Sequence, residues 1–270
     1  MTAGDKEFTG SIPEFYDTYL VPLIFDCYAD DLADRAAALS PRAVLETAAG
    51  SGVVARALAL RLGPEARYVV TDLNQPMLDH AANKQGADDR LDWRQADALD
   101  LPFDDGTYDV VLCQFGVMFY PDRIEGYSEA RRVLRPGGHY IFNVWDQISQ
   151  NEFADIVTNV AAGIFADDPP RFLPRTPHGY HDVSAIKADL NAAGFTEISV
   201  ETIEEVSRAP SPRHPAVAYC QGTPLRNEIE SRDPAMLDRV TDAAAQAIAA
   251  RYGESQVAAK ICAHVITAVK

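Results

Sequence analysis

The chain has 270 residues, 47% of them hydrophobic, and a formal net charge of -16 at pH 7. That length suits one large α/β domain with additions, and the apolar fraction supplies a sizeable core. The acidity argues against a nucleic-acid backbone or an anionic membrane surface as partner, since both call for basic faces. Four scattered cysteines, Cys27, Cys113, Cys220 and Cys262, show no metal-ligand spacing, so the expectation is reduced thiols and no metal. Asp5 and Glu7 stand where a signal peptide is basic, and no apolar run nears the ~18 residues of a membrane span. A cytoplasmic protein without membrane insertion is the resulting expectation.

In chain order, residues 1–40 read as an N-terminal helical cap. Tyr16, Tyr19, Leu20 and Leu23 recur at helical spacing, Pro22 marks a kink or break, and a second helix spans 26–39. A strand at 43–46 leads through a glycine turn into a helix over 53–62, stopped by Gly63-Pro64. Then come a strand at 67–71, a helix from Pro76 to about 83, a short strand at 91–94 and a turn at 101–106. Tyr108 to Gln114 is the strongest strand, apolar without interruption at Val110-Val111-Leu112, as a doubly buried parallel strand should be. A helix over 123–134 ends at Arg135-Pro136-Gly137-Gly138, and a fifth strand follows at 139–145. Alternation of this kind predicts a Rossmann-like, doubly wound α/β sheet. Beyond it lie a helix at 152–165, a proline-rich irregular stretch at 167–180, a helix at 183–193 and a strand at 196–206. Helices inserted over 209–253 precede a last strand at 262–269. The expected organisation is a single domain, 1–270, with the cap at 1–40, a core at 41–146 and substrate-side elements at 147–270.

The most informative segment is Glu46 to Gly52, E-T-A-A-G-S-G, followed twenty residues on by Asp72 at the end of the next strand. Glycines let backbone approach a ligand closely, and a carboxylate at the second strand end can hold a ribose diol. A dinucleotide fingerprint has its third glycine where this chain has Ala55, which that fingerprint also accepts; what tilts the balance is Glu46, which would repel a pyrophosphate but attract an amine. With Leu45 the segment resembles the first motif of the class I S-adenosylmethionine (SAM)-dependent methyltransferases. Thr71-Asp72-Leu73-Asn74 with Pro76-Met77-Leu78, Gln95-Ala96-Asp97-Ala98, Tyr108-Asp109-Val110-Val111 and Arg132 to Gly138 extend the resemblance in the right order. The small-molecule methyltransferases of ubiquinone and menaquinone biosynthesis are the nearest type.

That resemblance implies a seven-stranded sheet and a small-molecule acceptor methylated by in-line displacement, with S-adenosylhomocysteine as product. It implies that Gly50, Gly52 and Glu46 lie beside the cofactor's amino-acid portion and that Asp72 accepts from both ribose hydroxyls. Asp97 and Ala98 would meet the adenine, Leu73 and Met77 would flank it, and Gln114 would offer backbone near the ammonium. Ala48 departs from the family's usual glycine, and an extended φ there would let the turn form. Tyr16, Tyr19, Phe115, Phe119, Asn143, Trp145, Tyr180 and Tyr219 are candidates for the acceptor pocket. His178 and His181 are candidates for a general base, or else part of a loop that packs the lid. The 209–253 insertion shapes that pocket or forms a homodimer surface; both stay open. Rival readings are an NAD-dependent oxidoreductase and a non-catalytic protein of the same fold.

Overall fold

The computed structural model describes residues 15–270, so the part of the cap expected before residue 15 lies outside the described residues. Seven strands form one sheet in the order β3-β2-β1-β4-β5-β7-β6. They are β1 (Ala43–Glu46), β2 (Arg67–Asp72), β3 (Leu91–Gln95), β4 (Tyr108–Gln114), β5 (Leu134–Trp145), β6 (Glu197–Ala209) and β7 (Val257–Val269). The first five run parallel, with Glu46 beside Val70 on one side and Leu112 on the other. Strand β7 runs against β5, since Asp146 N–H donates to Cys262 O while Gly137 N–H donates to Lys270 O. Val44, Leu45 and Val110 to Cys113 are buried, as central parallel strands covered on both faces require. At roughly 1.5–3 kcal/mol for each fully buried large aliphatic side chain, these strands anchor the core.

The elements fall into two compact units. The described part of one comprises 15–26, Trp145–His181 and Ile203–Ala263; the other comprises Cys27–Val144, Asp182–Thr202 and His264–Lys270. Helices of the second unit are α1 (Asp26–Ala38, whose first residue belongs to the other unit), α2 (Val53–Ala59), α3 (Gln75–Gln85) and α4 (Arg123–Val133). In the first unit lie α5 (Glu152–Ile164) and α6 (Phe172–Arg175); α7 (Val183–Ala192) belongs to the second. The 209–253 insertion resolves into α8 (Arg213–Gln221), α9 (Leu225–Arg232) and α10 (Leu237–Tyr252), all in the first unit. Helix α10 buries Val240, Ala244 and Ile248 while packing on α5 and α8.

Three expectations are corrected. Tyr16–Phe25 winds as a π-helix that contains Pro22 and passes without a break into α1. Pro22 removes one N–H donor from that helix without ending it. Residues 135–138 are not a turn ahead of β5 but an irregularity inside it: Leu134 pairs with Tyr108, and pairing resumes at His139 with Val110. Strand β7 begins at Val257, well before the expected Cys262, because its first residues pair with a β6 that runs on to Ala209. Lys260 Nζ to Glu204, 2.6 Å, is one cross-strand pair there.

Candidate active site

Strand order reverses direction between β1 and β4, the switch point where open α/β sheets bind ligands at their carboxyl ends. The second unit concentrates its unusual chemistry there. Glu46 ends β1 and is 1% exposed, with Tyr68 of β2 donating its hydroxyl to Oε2. Burial pushes the Glu46 carboxyl up to about 8; the Tyr68 bond and Arg56 oppose this, and Asp72 adds to it. Burial therefore favours the protonated form of Glu46 near neutral pH, which its sequence position did not foretell.

The turn that follows is tied on both sides. Thr47 N–H donates to Leu112 O of β4 at 2.9 Å, and Ala49 N–H donates to Thr71 O of β2 at 2.9 Å. Gly50 N–H donates to Asp72 Oδ2 at 2.8 Å, while Asn74 N–H donates to Oδ1 at 2.8 Å. Burial raises the Asp72 pKa, and the Asn74 and Gly50 amides offset part of that rise. The Asn74 side chain and the Leu73 amide bond to the same carboxylate. Gly50 and Gly52 sit at φ 55° and 73°, a region glycine enters freely. Ser51 between them is buried, and among the described residues nothing partners its Oγ.

Ala48 is not extended. Its φ is 52°, so the alanine accepts the left-handed conformation that the family fills with glycine. Two tied neighbours, Thr47 and Ala49, force that backbone, at roughly 1–2 kcal/mol. The methyl is accommodated because residue 116 is glycine: a Cβ there would stand 2.6 Å from Ala48 Cβ and 2.6 Å from Cys113 Sγ. Phe115 beside it is also left-handed, at φ 49°, with its N–H donating to Asn143 Oδ1 at 2.8 Å.

Other expected cofactor residues cluster nearby on β2, α3 and the loop after β3. Leu73 is an exposed apolar side chain, 47% open, while Met77 is buried with its Cε facing Gly50. Asp97 is exposed, and its Oδ1 accepts from Leu99 N–H at 3.0 Å, capping the turn that Ala98 half buries. Gln114 closes β4 opposite Asn143 on β5. Asp109 serves structure: Oδ2 accepts from Arg42 and Ala43 N–H, and Oδ1 pairs with Arg135. Phe115 packs edge-on against Tyr28, centroids 5.5 Å apart, and Phe119 is half-buried.

In the first unit Tyr16, Phe25, Trp145 and His178 form a row of rings at centroid spacings of 5.2, 5.9 and 6.0 Å. Tyr19 meets His214 at 5.0 Å. Phe25 and His214 escaped sequence reading, because their ring partners Tyr16, Trp145 and Tyr19 come from separate turns and elements that spacing does not join. Tyr180 and Tyr219 are buried. His178 Nδ1 lies 2.9 Å from Asp146 O, and His181 Nδ1 lies 2.8 Å from His178 O. A carbonyl only accepts, so each ring carries a proton on Nδ1. Burial drives the His178 pKa down to about 4, keeping that ring neutral.

Comparison with known proteins now bears on these residues. A methyltransferase-domain family model matches residues 45–142. The ubiquinone/menaquinone biosynthesis C-methyltransferase UbiE of Dinoroseobacter shibae is 37% identical over 190 residues, 66% of this chain and 74% of that protein. The chain belongs to the class I methyltransferase family. The demethylmenaquinone methyltransferase of Thermus thermophilus is 31% identical over 175 residues, covering 60% of this methyltransferase and 78% of its relative. Among solved structures, a SAM-dependent methyltransferase of Thermotoga maritima shares the fold with a TM-score of 0.55 at 16% identity, covering 96% of each chain. Among the described residues no helix is long and apolar enough to cross a membrane, and no cluster of His, Cys, Asp and Glu suits a metal.

Proposed function

We propose that this methyltransferase takes S-adenosylmethionine at the carboxyl ends of β1 and β2 and methylates a small, planar, quinone-type ring. The observation that carries the cofactor reading is Asp72. Its buried carboxylate at the end of β2 bonds to Gly50 N–H of the motif turn, and a ribose diol would donate to those same oxygens. The partnerless Ser51 Oγ and the exposed Leu73 fit a ligand with polar and aromatic parts. Asp97, Ala98 and Met77 would complete the adenine side, and Gln114 and Glu46 the amino-acid side. Bound there, the cofactor supplies an electrophilic methyl on a sulfonium. The chain's own work is alignment and exclusion of water. A nicotinamide-linked reading is not favoured, since the matching relatives are named as methyltransferases.

Two relatives' names, a ubiquinone/menaquinone C-methyltransferase and a demethylmenaquinone methyltransferase, support the quinone-type acceptor. We place the general base at Nε2 of His178 or His181, and both units in one working domain. General base catalysis contributes about 10²–10⁴-fold, so replacing both histidines with glutamine should slow turnover on that scale. Unchanged turnover removes the histidines from the chemistry.

Melting the protein with SAM, S-adenosylhomocysteine and NAD in parallel tests the cofactor. A ligand at ~100 times its dissociation constant stabilises by about 2.7 kcal/mol. For a chain of this size that is roughly 5–10 °C. The two adenosyl ligands should shift the wild type and largely fail with Asp72→Ala; a shift with NAD alone overturns the proposal.

A further inference from the structure

A buried polar cluster lies under the motif turn, joined to it through Thr47. Thr47 donates its hydroxyl to Leu112 O at 3.3 Å, and its Oγ1 lies 3.2 Å from Tyr120 Oη. With the Thr47 proton committed to that carbonyl, Tyr120 is the donor of the pair. Tyr120 Oη also lies 3.6 Å from Cys113 Sγ, and all three side chains are buried. The Tyr120 ring has one seat. It rests on Gly126 in the middle of α4, where an added Cβ would stand 2.6 Å from Cδ2 and 2.7 Å from Cε2. Glycine inside a helix costs about 0.5–1 kcal/mol relative to alanine, and here the missing Cβ is what admits the ring.

From this geometry we infer that Tyr120 is a positioning residue for the cofactor turn. Its hydroxyl holds Thr47 at the β4 side, and Thr47 in turn fixes the left-handed Ala48. Ala48 sets the direction in which the chain leaves β1, and so delivers Gly50 N–H to Asp72. Without the Tyr120 bond, Thr47 keeps its backbone and hydroxyl ties to Leu112 but loses the second side-chain tie that resists relaxation of Ala48 out of its strained region. Tyr120 thus acts on affinity through two intervening residues. The inference rests on the adenosyl reading of the turn.

Titration calorimetry with S-adenosylhomocysteine tests it on wild type, Tyr120→Phe, Thr47→Val, the double variant and Thr47→Ser, with melting of each ligand-free chain alongside. Tyr120→Phe and Thr47→Val should each weaken affinity five- to tenfold. The double variant should be no weaker than either single one, and Thr47→Ser, which keeps the hydroxyl, should bind like wild type. Lower melting temperatures with wild-type affinity would mean ordinary packing and would overturn the inference, as would single effects that multiply in the double variant. Should Tyr120→Phe fail to fold, Thr47→Val against Thr47→Ser decides alone. A wild type that binds no adenosyl ligand overturns the cofactor reading and this inference with it, whereas normal wild-type binding with unchanged variants overturns this inference only.

Discussion

Glu46 shows how environment remakes a residue. An acid before a glycine turn suggests a standing negative charge, yet the side chain is buried and bonded to Tyr68, with its pKa at about 8. The unfolded carboxyl titrates near 4.5, so between there and about 8 the folded chain holds a proton the unfolded chain has lost. Stability must then fall as pH rises through that window. Glu46→Gln keeps an acceptor for Tyr68 and removes the titration. Its urea-unfolding free energy should be flat across the window and exceed wild type at pH 8 by a few kcal/mol, on the order of the linkage for such a shift. An unaltered pH slope would show that Glu46 titrates normally. Ala48 carries a second lesson of this kind. Its identity was visible, but the Gly116 beside it, which makes a left-handed alanine tolerable, is 68 positions away and announces nothing by spacing.

At the scale of elements, α4 does more than cover the sheet. Asp122 caps it by accepting from Glu125 N–H, and Arg132 in its last turn clamps the loop that precedes β4. The guanidinium donates to Leu101 O and Phe103 O and pairs with Glu129 and Asp105, while Glu129 accepts from Leu101 N–H. A charged donor bonded to carbonyls is worth ~1.5–3 kcal/mol, and the partial exposure of Arg132 lowers that. Arg132→Met should therefore destabilise by about 1–2 kcal/mol in urea, with faster protease cleavage in 101–106. Wild-type stability and cleavage would show that the loop is held otherwise. Most elements were legible because an apolar run or a 3.6-residue period marks them. The π-helix and the irregularity in β5 were not, because both depart from the regular periods that sequence patterns report.

For the whole molecule the dominant physical fact is a formal charge of -16. Self-repulsion of that size opposes the compact state and is screened by salt. Raising ionic strength from about 0.01 M to about 0.15 M shortens the screening length from about 30 Å to about 8 Å. The melting temperature should rise by a few degrees over that range. A fall would mean that exposed pairs such as Arg61 with Asp30 and Asp34 outweigh the repulsion. By itself the sequence determined the sheet, the family and the place of the motif turn, because buried parallel strands and glycine turns are written in consecutive residues. Only the tertiary structure decided that Glu46 is held toward its protonated form, that Ala48 is left-handed, that Tyr120 stands under Thr47 and that Tyr16, Phe25, Trp145 and His178 share one row. Those properties depend on which distant residues become neighbours, and neither composition nor spacing encodes that.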